Sequence, residues 1–379
     1  MDLQRFSLET YLKELEVLVN IDSGSRMPEG TGAVAEWFAE RFQTMGWAVK
    51  KRDLGPDVGP GLEIRNQPEG AIDLLLIGHM DTVFGPDETQ RRPFKKEGNH
   101  LTGPGVYDMK ASLLSGYYAV KLLQEANELG DLSICLAFNP DEEISSTYSR
   151  SWIEELGRIT KRAIVMEPAR ANGAMVNARK GVGRFSIDFL GVPAHAGVAP
   201  EKGASATEEL AHWLLALHSL TDYEKGTTLN AGVIQGGTVS NVVAEKAHMA
   251  VDLRVKYPEE ALRVEAKLKE LQENPFNPRV QATVSGSLTR PPLVPTAETL
   301  KFCDEVTAIG EAVGVKVEWI FTGGGSDANL LAPLNVPVID GMGPVGGDSH
   351  SAKEYVEVDS IEPRLKLLGA TIRMMAQNK

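Results

Sequence analysis

Three short apolar runs, at residues 72–77, 132–138 and 163–166, constrain this chain more than any other feature. Each has the length of one strand, and stretches of helical periodicity separate them. Strands that are apolar throughout are buried on both faces, the condition of a largely parallel sheet covered by helices. The clearest intervening helix is predicted over 110–125. Another is predicted over 31–45, where Val34, Trp37, Phe38 and Phe42 share a face and Gly46 is the stop. Near the N-terminus Leu8, Tyr11, Leu12, Leu15, Leu18 and Ile21 recur close to the 3.6-residue period. An α/β fold is expected.

The middle of the chain changes period. Phe185, Ile187 and Phe189 alternate with Arg184, Ser186 and Asp188, the pattern of a strand with one solvated face. A helix is predicted at 204–220, strands at 228–235 and 247–255, a helix opening at Pro258-Glu259-Glu260, and a strand at 280–287. The order β-α-β-β-α-β is that of a ferredoxin-like unit. Beyond Pro291-Pro292 a helix is expected at 296–313, strands at 316–320 and 336–339, and a helix at 361–375. The expected architecture is therefore a mostly parallel-stranded α/β catalytic domain from residues 1–177 plus 291–379. An inserted ferredoxin-like α+β domain at 178–290 interrupts it. Two domains suit a chain of 379 residues.

With 39 Lys and Arg against 52 Asp and Glu, the formal charge is −13, so the chain repels phosphate backbones and nucleic acid is not an expected partner. The densest basic cluster, Lys50, Lys51 and Arg52, is expected in a solvated turn. No run reaches the ~18 apolar residues of a membrane span, and the first residues carry charges throughout, so neither a membrane nor a leader is expected. Cys135 and Cys303 are too few for a disulfide framework, and Cys135 is expected as a small buried hydrophobe. A cytoplasmic location is expected.

The chemistry gathers at strand ends. The first apolar run leads into Gly78-His79-Met80-Asp81, at the edge where open α/β sheets bind ligands. Residues i and i+2 of an extended chain point the same way, so Asp81 can fix the tautomer of His79. From this motif alone, a strand-end histidine hydrogen-bonded to a neighbouring acid is the plainer reading. Asp108, in the glycine-rich Gly103-Pro-Gly-Val-Tyr-Asp108-Met-Lys110, also reads as a helix N-cap. Asp141-Glu142-Glu143 also reads as a solvated acidic turn. Glu167 follows the third run, and His350 sits in Gly347-Asp348-Ser349-His350. Together, His79, Asp108, Glu143, Glu167 and His350 form a set of two imidazoles and three carboxylates, suited to zinc, cobalt or manganese. Charge balances as well. Two divalent ions bring +4, and three carboxylates with a bridging hydroxide bring −4, with a carboxylate such as Asp108 as a bridge. Glu142, beside a ligand but directed away from it, is then free to act as a general base.

These motifs, in this order, resemble those of the M20 family of dinuclear zinc peptidases and deacylases, and the likeness covers nearly the whole chain. The segments ARKGVGRFSIDFLGVPAHAGVAPEKGASA from Ala178, LNAGVIQGGTVSNVVAE from Leu229 and VDLRV ending at Val255 resemble its glutamate carboxypeptidase branch. The resemblance implies that Asp108 bridges two metal ions, that His79 and Glu167 complete one site, and that Glu143 and His350 complete the other. It also implies Glu142 as catalytic base, Asp81 as the orienter of His79, and a cis peptide between Asp108 and Met109. Two divalent ions are expected, zinc first, with cobalt or manganese as alternatives. The inserted domain is implied to be a lid and dimerisation domain, so a homodimer is expected, with His195 reaching the partner's site to stabilise an oxyanion. Asn241 resembles a further substrate contact, and Arg290 and Gly325 resemble positions that hold a terminal carboxylate. Arg254 reads either as a substrate contact or as half of a structural ion pair.

The activity implied is zinc-dependent amide hydrolysis of carboxypeptidase type. It releases a C-terminal glutamate-type residue from a small peptide or N-acyl amino acid through a metal-bridging hydroxide. An N-acyl amino-acid deacylase of acetylornithine or succinyl-diaminopimelate type shares the metal core. A non-catalytic binding protein on the same fold would be free to discard its base or a ligand, and Glu142 and all five ligand positions are present. An anionic substrate meets a chain of net charge −13, so local cations such as Arg290 and the metals must dominate at close range. Salt screens the distant field within ~8 Å.

Overall fold

The computed structural model describes residues 5–379. The chain forms two compact units: residues up to 178 with 295–321 and 326–379, and residues 179–294 with 322–325.

The first unit is built on an eight-stranded sheet. Its spatial order is Ala48–Arg52, Gly61–Arg65, Ile134–Asn139, Ile72–His79, Thr160–Val165, Val338–Asp340, Met175–Arg179 and Trp319–Thr322. The central four strands are parallel. Every residue of Ile72–His79 is buried, as the uninterrupted apolar run requires. Register decides what this sheet can do. His79 pairs with Asn139, and Ile77 pairs with Val165, which puts Glu167 level with His79. Three strands therefore deliver their trailing loops to one edge.

Helices cover both faces. Pro28–Thr44 starts earlier than its apolar periodicity suggests, because Pro28 occupies the first turn, where a missing N–H costs nothing. Ala111–Glu125 is buried along nearly its whole length. The two helices share an aromatic core in which Phe42 meets Tyr117 at 5.3 Å and Phe38 meets Phe138 at 5.1 Å between centroids.

Lys50, Lys51 and Arg52 are not in a turn. They form the edge strand Ala48–Arg52, antiparallel to Gly61–Arg65. Val49 packs on the core, and Arg52 donates to Glu63 at 2.8 Å. Charges on an exposed edge also discourage a further strand from adding. A small antiparallel sheet, Gly346–Gly347, Tyr355–Glu357, His100–Thr102 and Lys95–Glu97, has no sequence signal, because its strands are only two or three residues long.

The second unit is a four-stranded antiparallel sheet in the order Thr228–Gly236, Lys246–Val255, Gly181–Leu190, Gln281–Arg290. With helices Ala206–His218 and Pro258–Glu273, this is the ferredoxin-like arrangement. Phe185, Ile187 and Phe189 are buried under the helices, and the Phe189 ring meets Trp213 edge-on at 5.4 Å. Among the described residues of the whole chain, no helix is long and apolar enough to cross a membrane. Cys135 and Cys303 are both buried as free thiols.

The second unit also buries a carboxylate. Glu209 is fully buried and accepts from Trp213 Nε1 at 3.0 Å, Phe276 N at 2.9 Å and Asn277 N at 2.7 Å. Truncation strands three donors, each hydrogen-bonded to a charge. Glu209→Ala should therefore cost about 3–5 kcal/mol of stability. Glu224→Ala, on an exposed loop of the same unit, should stay within about 0.5 kcal/mol. Denaturant unfolding reads both, and a loss below about 1 kcal/mol for Glu209→Ala would show that the 276–277 turn is held by something else.

Candidate metal centre

Asp108 is the centre of the cluster. It lies in an irregular segment between Gly105 and the helix Ala111–Glu125, with φ −114° and ψ 89°, and the Asp108–Met109 peptide is cis. It is not a helix N-cap. Its two oxygens diverge: Oδ1 lies 3.0 Å from His79 Nε2, and Oδ2 lies 3.3 Å from His350 Nε2. His79 Nε2 is also 3.7 Å from Glu167 Oε1, and His350 Nε2 is 3.2 Å from Glu143 Oε2. All five residues expected as ligands thus meet in one place.

Donor atoms of His79, Asp108 and Glu143 lie within 4.8 Å of one another, and so do those of His79, Glu142 and Glu167. The two groups share His79, so both adjacent glutamates stand within ligand distance of it, Glu142 beside Glu167 and Glu143 beside Asp108. Asp81, fully buried, holds both: its Oδ1 accepts from Glu142 N and its Oδ2 from Glu143 N, each at 3.1 Å. Ser25 Oγ donates to Asp81 Oδ2 at 2.6 Å. His79 Nδ1 lies 3.0 Å from the Asp81 carbonyl oxygen and 3.3 Å from Oδ1. Both are acceptors, and so is Asp108 Oδ1 at Nε2: burial opposes the charge, but contacts with Asp108 and Asp81 outweigh it and hold His79 well above the usual imidazole range.

Burial and mutual repulsion shape the titration. Burial pushes Glu167 well above the usual carboxylate range, and the Asp108 charge adds to the effect. Burial likewise raises Glu143. Burial also opposes ionisation of Asp108, but contacts with His350 and His79 outweigh it and hold that carboxyl low. His350, half-exposed, is pushed up to about 10 by Asp108 and Glu143. Glu143 Oε1 is buried with no hydrogen-bond partner among the described residues. A buried lone pair without a donor, among acids that repel one another, fits divalent cations.

A family model described as Peptidase family M20/M25/M40 matches residues 75–374. The chain belongs to this family. Among M20 relatives, carboxypeptidase G2 of Pseudomonas sp. (strain RS-16) is 29% identical over 375 residues, covering 97% of this chain and 90% of the relative. Succinyl-diaminopimelate desuccinylase of Azoarcus sp. (strain BH72) is 27% identical over 375 residues, covering 94% and 95%. In fold, the chain is similar to the aminopeptidase PepT of Bacillus cereus ATCC 10987. The TM-score is 0.79 at 23% identity, with 98% and 99% of the two chains covered.

The remaining expected site residues lie in the second unit. His195 is exposed, and its Nδ1 accepts from Gly197 N at 3.1 Å. Ala196 N donates to the carbonyl of Asn241 at 2.9 Å, so His195 and Asn241 sit side by side. Gly325 leaves no space for a side chain, since a Cβ there would lie 2.7 Å from Arg290 Cδ. Arg254 forms a two-pronged ion pair with Asp252, at 2.8 and 3.1 Å, the structural role anticipated as one alternative. Residues with no sequence signal include Ser25, which braces Asp81, and Glu354, whose buried carboxylate accepts from the Asp108 segment.

A pH dependence follows for the metal-free chain. Glu167 and His350 are both held above their unfolded values, so their protonated forms stabilise the fold. The His350 share is complete below pH 6.5 and is lost as pH rises through about 10. The melting temperature of chelated protein should therefore fall across that window. Metal-loaded protein should show a flatter profile, because cations replace those protons. Thermal unfolding with and without chelator tests this, and parallel profiles would contradict it.

Proposed function

We propose that this M20 protein hydrolyses the amide bond joining a C-terminal, glutamate-type amino acid to a peptide or acyl group, using two divalent cations, zinc in the first instance. The observation that carries the reading is the divergence of the Asp108 oxygens, one 3.0 Å from His79 Nε2 and the other 3.3 Å from His350 Nε2, with the amides of Glu142 and Glu143 held beside them by Asp81. In this reading His79, Glu167, Glu143 and His350 would hold the two cations with Asp108 shared between them, and the cations, when bound, would supply Lewis-acid polarisation of the scissile carbonyl and a water of lowered pKa. Glu142, assigned here as base and not as ligand although it stands within ligand distance of His79 and Glu167, takes a proton from the attacking water and returns it to the departing amine nitrogen. Asp81 keeps His79 in the tautomer that presents Nε2. Arg290, in the space left by Gly325, is assigned to the terminal carboxylate of the substrate, with Asn241 as a further contact. The Asp252 ion pair weighs against a substrate role for Arg254.

A deacylase of succinyl-diaminopimelate type is the second reading, favoured by the desuccinylase likeness. Zinc-loaded protein assayed against C-terminal-glutamate peptides, folyl-glutamates and N-acyl amino acids separates the two. The first reading expects release of the C-terminal residue to be fastest. Turnover confined to N-acetyl or N-succinyl amines would establish the second, and no metal-dependent turnover at all would point to a binding protein. Glu142→Ala should lower turnover by about 10²–10⁴-fold while metal content stays near the wild-type value. A variant that loses metal but regains activity in added zinc would exchange the roles of Glu142 and Glu143.

We extend the reading to a cytoplasmic homodimer joined through the inserted domain. The strand Thr228–Gly236 is a sheet edge whose outer residues, Val233 and Ile234 among them, are exposed. Such an edge is open to pairing with a symmetry mate. Because Nδ1 of His195 accepts a hydrogen bond, Nε2 carries the proton and suits an oxyanion donor in the partner's site. His195→Ala should impair turnover without emptying the metal sites. Mixing it with Glu142→Ala, under conditions where subunit exchange is verified, should restore part of the activity. Exchanged dimers that remain inactive would confine His195 to its own subunit.

A further inference from the structure

Nothing in the proposed reaction uses Glu354, yet this side chain is fully buried within a few residues of the metal centre. Its carboxylate accepts three backbone N–H groups from one short segment. Oε1 takes Tyr107 N and Asp108 N, both at 2.9 Å, and Oε2 takes Gly105 N at 3.1 Å. That segment has no regular secondary structure at Asp108 and Met109 to hold it. It also has little room to shift, because Gly105 stands at φ +71° and a Cβ there would lie 2.4 Å from Thr82 Cγ2.

The position of Glu354 is itself fixed. The strand that follows it, Tyr355–Glu357, pairs antiparallel with His100–Thr102, with Tyr355 opposite Thr102. Glu354 therefore stands level with Gly103, where the Asp108 segment begins. Four residues before it, His350 reaches Asp108 Oδ2 at 3.3 Å. A single short stretch thus carries one histidine of the cluster and the carboxylate that anchors the backbone of the central aspartate. The separation between His350 and Asp108 depends on it.

We propose that Glu354 is a positioning residue for the metal centre: it fixes the backbone of Gly105, Tyr107 and Asp108 relative to His350, and so sets where the two Asp108 oxygens point. The proposal rests on the reading of Asp108 and His350 as metal ligands. Groups that orient ligands in this way are worth roughly 10–100-fold in metal affinity.

The test is a zinc titration of metal-free protein in competition with a chromogenic chelator, accompanied by circular dichroism and thermal unfolding of the metal-free chain. Glu354→Ala should bind zinc roughly 10–100-fold more weakly than wild type. Glu354→Gln, which keeps the volume and one accepting oxygen but turns an amide toward a donor, should show a smaller loss in the same direction. It carries the test if the alanine variant does not fold. Glu357→Gln, on the adjacent strand, should stay within about twofold of wild type. A purely structural glutamate would lower the melting temperature of the metal-free variants and leave zinc affinity unchanged, and that result overturns the proposal. Wild-type protein that binds no zinc overturns the metal-centre reading and this proposal with it. Two ions bound by wild type, and bound equally tightly by both Glu354 variants, overturns this proposal alone.

Discussion

Four carboxylates, Asp108, Glu142, Glu143 and Glu167, converge with two imidazoles at one edge of a buried sheet, and the rest of the first unit is arranged around their repulsion. Water stabilises an exposed acidic turn, but Glu143 and Glu167 are largely withdrawn from it. The cluster's titration reflects this: burial raises Glu167 and Glu143 above the usual carboxylate range, and Asp108 and Glu143 raise His350. Cations answer the same demand with more charge per site. The peptidase chemistry of the M20 family thus starts from an electrostatic problem in the protein itself.

A converging set of acids must also be held in place, and the chain does this largely with other acids. Asp81 accepts the amides of Glu142 and Glu143. Glu354 accepts those of Gly105, Tyr107 and Asp108. Asp141 accepts Tyr148 N and Ser149 N, and Asp327 accepts from Asn139 and Ser146 on either side of the glutamate pair. A carboxylate offers several lone pairs and can take multiple N–H donors, so it suits irregular loops that have no helix or ladder to bond to. The outer carboxylates fix backbone and leave the inner ones free to face the centre.

The elements legible in the sequence were those whose signal is local. The runs at 72–77 and 132–138 became the fully buried strands Ile72–His79 and Ile134–Asn139, and that at 163–166 became Thr160–Val165, buried over its last three residues. The alternation from Arg184 onward became Gly181–Leu190, with the expected face buried. Where the signal was weak, expectation failed. Lys50, Lys51 and Arg52 look like a turn because three consecutive cations suppress any period, yet Val49 and the Glu63 partner make them a strand. The small sheet containing Tyr355–Glu357 was invisible, since three residues cannot display periodicity.

The sequence by itself determined the fold class, the order of the main helices and strands and the residue types of the cluster, because periodicity and residue type are properties of short segments. Only the tertiary structure decided how those residues act together. The register His79 opposite Asn139 and Ile77 opposite Val165 brings the strand ends level, and no local pattern specifies a register between strands so far apart in sequence. The same holds for which donor atoms the two adjacent glutamates approach. It holds also for the braces: Ser25 lies 56 residues from Asp81, and Glu354 lies 246 residues from Asp108. Contacts across such separations leave no spacing to read, because the intervening chain can be of any length once the sheet has brought their ends together.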